Sequence, residues 1–155
     1  MTDFHSMTEK KMGAIEAMLA PIFAKAPHLP QSAREGIVKV APWLALVFGI
    51  LGLLAIPSLG GFGILLSFSF LGGGSALFLF ITVAIAVVTA ILDLLAYSPL
   101  SQRKKRGWNY VFYGQVLSVV SVLVQFFTGY GALGGLVGVI IGFWLLFEVR
   151  GMYTA

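Results

Sequence analysis

The chain has 155 residues, of which 59% are hydrophobic and only 10% charged, with a formal net charge of +4. A soluble domain carries roughly 45–50% apolar and about 25% charged residues, so this chain lacks the polar surface to cover a water-exposed core. That excludes a soluble globular protein, and the absence of cysteine excludes disulfides, thiolate metal sites and thiol catalysis. The class that remains is an all-α, polytopic membrane protein with one membrane domain.

Residues 1–30 form the only long stretch of mixed polarity. Phe4, Met7, Met12, Ile15, Leu19, Ile22 and Phe23 recur at spacings of mostly three or four, which predicts an amphipathic helix at the membrane interface. Glu9, Lys10, Lys11, Gly13 and Glu16 fall mainly off that stripe. The acids Asp3, Glu9 and Glu16 balance Lys10, Lys11 and Lys25, whereas helices that bind anionic lipid are rich in Lys and Arg on the polar face. The stripe is therefore expected to pack on the chain's own bundle or on a partner. The stretch has no continuous apolar core of signal-peptide type, so the first span is expected to be an uncleaved anchor.

Residues 31–155 carry the membrane domain. Pro27 and Pro30 end the first helix, because proline disfavours helix in the residue before it. Ser32 and Glu35 then make an S-x-x-E capping box, the expected start of the next helix. A first span follows over about 40–59, since about 20 apolar residues cross a hydrocarbon core of about 30 Å. Arg34 and Lys39 stand at its entry, Trp43 suits the interface, and Pro57 marks its end. Residues 60–75 are glycine-rich and uncharged, and their apolar part is too short to span. They read as an interfacial loop on the outer face, with a re-entrant loop as the sharper alternative.

The second span covers about 76–97 and contains Asp93; Ser98-Pro99 is expected to stop it. Arg103, Lys104, Lys105 and Arg106 follow as a basic loop. The third span, about 109–128, opens with Trp108, Tyr110 and Tyr113 as an aromatic belt and contains Gln115 and Gln125. A short uncharged turn at 129–131 leads to the fourth span, about 132–149, which closes on Glu148 and Arg150. Four spans place all ten Lys and Arg residues on one side. The positive-inside rule then puts both termini and the basic loop in the cytoplasm, with a cell inner membrane as the expected location.

Several constellations could carry function. Gly134, Gly138 and Gly142, with Gly131 and Gly135 beside them, form a glycine zipper on which two helix backbones can approach closely. The neighbour is either another span of this chain, such as the first with its Gly49 and Gly52, or a second molecule. Asp93 is the one acid well inside a span, which costs about 2.5–3.5 kcal/mol at mid-membrane on insertion scales. It is expected to pair with Arg103 or another loop cation, or else to handle protons or cations with Gln115 as a neighbour. Gln115 and Gln125 share a broad helix face and suit interhelical hydrogen bonds. Glu148 and Arg150, two apart, point to different neighbours, with the basic loop as the expected partner of Glu148. His5 and His28 lack a nearby ligand set, so no metal and no cofactor is expected.

No nucleotide-binding, zinc-protease or nucleophile-elbow motif occurs. The basic loop reads as an orientation signal and a lipid contact, so no nucleic acid is expected. The expected role is non-catalytic: a subunit, scaffold or assembly factor that packs against other membrane subunits or itself. The alternative is an oligomeric channel or transporter built on Asp93 and the glycine-rich outer loop.

Overall fold

The computed structural model describes residues 2–23, 28–57, 73–128 and 132–153, and among these it contains only helices and tight turns. An amphipathic helix α1 (Thr2–Phe23) precedes four long helices. These are α2 (Gln31–Pro57), α3 (Gly73–Ser101), α4 (Lys105–Thr128) and α5 (Ala132–Val149), the last running into a 3₁₀ turn at Arg150–Met152. All four are long and apolar enough to cross a membrane. Their outward side chains are apolar as well: Leu54, Leu77, Leu123 and Ile140 are all exposed. A surface of this kind suits hydrocarbon, and the protein is a multi-pass membrane protein with a four-helix bundle.

Among α2 to α5, helices adjacent in sequence pack side by side, while α2 and α5 touch only lightly. Glycines set the closest approach. A Cβ on Gly49 would lie 2.8 Å from Leu94 Cγ, and one on Gly52 would lie 3.1 Å from Ala90 Cβ. These two glycines therefore seat α2 on α3 and do not meet the fourth span, the neighbour that their spacing also allowed.

Two boundaries differ from the sequence expectation. Helix α2 begins at Gln31, and the backbone N–H groups of Ala33 and Arg34 both donate to Pro30 O at 3.0 and 3.2 Å. Pro30 is thus the capping residue and Ser32 lies inside the first turn. Helix α3 passes through Pro99 to Ser101. A missing N–H near the end of a helix removes one bond only, and the stop is made elsewhere. Lys104 N donates to Pro99 O at 2.8 Å and Arg103 N to Leu100 O at 3.0 Å, the paired bonds of a Schellman turn. Arg103 takes the left-handed position of that turn, with φ 53°, where glycine is usual. Helix α4 then starts so close to α3 that a Cβ on Gly107 would lie 2.5 Å from Leu100 N. Lys25, residues 60–72 of the expected outer loop and the expected turn at 129–131 lie outside the described residues; residues 73–75, expected in that loop, belong to α3.

The buried core gathers at the end of the bundle that carries this basic turn. Trp108 and Phe112 are its largest fully buried side chains, stacked at 5.1 Å. The Trp108 indole N–H donates to Leu146 O at 2.8 Å. This bond joins the start of α4 to the last part of α5. Helix α1 lies on the same end. Its Phe23 stacks on Phe147 at 5.3 Å, and Ile15 and Leu19 pack against the core. Of the stripe, Ile15, Leu19 and Phe23 thus lie on the chain's own bundle, while Ile22 is exposed.

Candidate functional site

Polar side chains inside the bundle follow two helical stripes. In α3 they are Thr82, Thr89 and Asp93, spaced seven and four. In α4 they are Gln115, Ser118, Ser121 and Gln125, spaced three, three and four. The tight basic turn makes α3 and α4 antiparallel, so the stripes run alongside each other. All seven residues line a single cavity of about 480 Å³, with Gly135 and Gly138 of α5 and Gly52 of α2 completing its wall.

A second cavity, about 290 Å³, continues toward the basic end. Phe48, Thr89, Asp93, Gln115 and Ser118 line both and form the wall between them. Beyond it the second cavity is mostly apolar, with Leu44, Leu145 and Leu146, and it ends at Trp108 and Tyr153. Those two aromatics also line a third cavity of about 470 Å³, which lies at the basic end among Lys105, Arg150 and Gly151. Three spaces therefore follow one another along the bundle, divided first at Asp93 and then at Tyr153.

Three of the polar side chains along this track donate to backbone carbonyls. Ser118 Oγ donates to Gly114 O at 3.1 Å, Gln115 Nε2 to Val139 O at 3.1 Å, and Thr82 Oγ1 to Phe78 O at 2.9 Å. Their lone pairs remain. The ion pairs among the described residues involve Glu148 and Glu16, and none reaches Asp93. The expected pairing of Asp93 with Arg103 is thus not formed. On α4 the carboxylate stands beside Gly114, where an added Cβ would lie 3.8 Å from Asp93 Oδ1. Tyr153 is 3% exposed, and its hydroxyl has no hydrogen-bond partner. Burial pushes this phenol up to about 12, with the nearby Arg103 charge pulling the other way, so it stays neutral in any ordinary medium.

The glycine zipper divides between two uses. Cβ atoms on Gly135 and Gly142 would meet Val122 (at 2.7 Å) and the Gln115 amide, so both seat α5 on α4. Gly134 and Gly138 have nothing within 4 Å of that position, and Gly138 opens on the largest of the three cavities. Gly131 lies outside the described residues. The basic side chains Arg103, Lys104, Lys105 and Arg106 are exposed, and Arg106 Nε donates to Tyr110 Oη at 2.9 Å.

Glu148 does not pair with the basic loop. Its side chain, 4% exposed, meets Arg34 Nη2 at 2.6 Å and His28 Nδ1 at 3.2 Å, and it accepts from Leu29 N at 2.8 Å. Arg150 instead meets Glu16 of α1 at 2.5 Å and lies over the Trp108 ring at 5.8 Å. The two charges thus tie the linker and α1, respectively, to the end of α5. No cluster of three metal-binding side chains occurs among the described residues.

Thr82, Thr89, Ser118, Ser121 and Tyr153 did not stand out in the sequence. The signal was their register with Asp93, Gln115 and Gln125, since singly a Ser or Thr in a membrane helix is commonplace. Comparison with known protein families, curated proteins and solved structures gives no match for this chain.

Proposed function

We propose that the protein is a small, non-catalytic membrane conduit that passes a polar solute through the middle of its own four-helix bundle. The observation that carries this reading is the end-to-end run of three cavities, with polar side chains concentrated in the first and at the wall it shares with the second. Polar groups inside a membrane bundle are costly and face cavities or pathways. The wall at Asp93 and the pair Trp108–Tyr153 act as two constrictions, so the path is closed at rest. A path inside one chain needs no oligomer to complete it. Because four spans put all ten Lys and Arg of the sequence on one side, we infer that this side faces the cytoplasm with both termini, in a cell inner membrane.

The test is solute release from liposomes that hold only this protein. Urea, glycerol, methylammonium and acetate serve as probes. At least one is expected to leave faster than from protein-free liposomes. Ser118→Leu, which fills the shared wall with an apolar side chain, is expected to return release to the background. Background rates for all four probes in the wild type would end this reading.

A second reading is a subunit or scaffold that packs through α5 against a second copy. It is favoured by the bare backbone at Gly134 beside the exposed side chains of Val137 and Ile141. The chain has no cysteine, so Gly134→Cys gives a clean check. A disulfide-linked dimer in native membranes supports it, and its absence under oxidation removes it.

A further inference from the structure

We propose that Asp93, with Thr89, Gln115 and Ser118 around it, binds a monovalent organic cation: an ammonium group carrying an apolar body. The inference deepens the conduit reading and rests on it for access to the site.

The lining selects the charge. Ser118 Oγ donates to Gly114 O, and Gln115 gives one of its two amide protons to Val139 O. Ser118 then offers the cavity a hydroxyl oxygen, and Gln115 offers its amide oxygen beside its second N–H. An ionised carboxylate is acceptor-only, and Asp93 has no counter-ion among the described residues. A cation would supply the missing counter-charge in a low-dielectric setting where an unpaired charge is expensive, with the oxygens of Thr89, Gln115 and Ser118 near it.

The surroundings select the body of the ligand. An inorganic cation requires oxygens on all sides. Here the oxygens occupy one wall, and the space beyond them is bounded by Leu44, Leu145 and Leu146. Phe48, itself 60% exposed, borders that wall, and Trp108 and Tyr153 close the far end. An apolar tail in the second cavity with its charged head at Asp93 uses both halves of the lining.

The approach is also polarised. No charged residue occurs in the sequence between Lys39 and Asp93. The opposite mouth holds Lys105, which repels a cation, and Arg150, which Glu16 neutralises. A cation therefore reaches Asp93 more easily from the end remote from the basic turn.

The test uses the full chain in detergent with benzylammonium as the probe, followed by equilibrium binding. Saturable binding at one site is expected. Benzenesulfonate and potassium chloride, each at the same concentration, are expected not to displace the probe. Asp93→Asn is expected to weaken binding at least tenfold, while Asp93→Glu retains it. Equal displacement by benzenesulfonate would overturn the charge selection, and equal displacement by potassium would overturn the organic character. These two comparisons need only the wild type, so they decide the matter even if Asp93→Asn fails to fold. Binding by a folded Asp93→Asn protein within twofold of wild type would also overturn the proposal. Binding without release from liposomes would remove the conduit and keep the site. Release of urea without cation binding would keep the conduit and remove the site.

Discussion

The basic end and the middle of the bundle are built on opposite terms. At the basic end charged groups are tied to partners. Glu148 takes three donors, Arg150 takes Glu16 and the Trp108 ring, and the Trp108 indole donates to Leu146 O of α5. Aromatic rings fill the space between them, from Phe23 through Phe147 and Phe143 to Phe112. In the middle, glycine and small side chains leave open space, and a carboxylate stands in it without a counter-ion. The contrast teaches where rigidity is concentrated. A bundle whose centre is hollow cannot hold its helices by core packing alone, because voids forfeit dispersion contacts. The tied end supplies the missing hold.

Breaking the tied end should therefore cost stability while leaving the middle intact. The largest effect is expected from Glu148→Ala, which strips the counter-charge from Arg34. A loss of about 3 kcal/mol is expected, the lower end for breaking a buried pair because Arg34 is one-third exposed. Thermal unfolding in detergent, followed by tryptophan fluorescence, measures it. Cation binding per folded molecule should not change; if it does, the two regions are not separable. Gly107→Ala comes next. Its Cβ would press on backbone at Leu100, which cannot rotate away, so a loss of about 2 kcal/mol is expected in the same assay. The smallest effect has the opposite sign. Arg103→Gly releases a left-handed residue from its Cβ penalty, with an expected gain of about 1 kcal/mol. No gain on that change would mean that the Arg103 side chain contributes more to the turn than its backbone costs.

The four spans were legible because an apolar run of membrane length has few other uses. The helical stripe of α1 was legible for a similar reason: Ile15, Leu19 and Phe23 keep a period that only a packed face rewards. Other features resist a linear reading. Pro99 looks like a helix stop, yet proline near a terminus costs one bond, and the stop lies at Arg103. Glu148 sits close in sequence to nothing it touches, since His28 is 120 positions away. The glycines of α5 announced close packing but not with which helix, because spacing defines a face and not its neighbour. Asp93 stood out as an acid in a span. Its setting did not, since the neighbouring hydroxyls matter only once α3 and α4 are brought into register.

The Glu148 contacts also set an order of events during synthesis. Arg34 and His28 leave the ribosome early, whereas their carboxylate arrives 120 residues after His28. At typical elongation rates of about 5–20 residues per second, that is a delay on the order of 10 seconds. Throughout it, Arg34 waits at the membrane surface with no partner from α5, and α1 has nothing to lie on. Helix α5 thus fastens α1 and the linker that were made before it, and a chain cut short before residue 148 would be inserted yet unlatched.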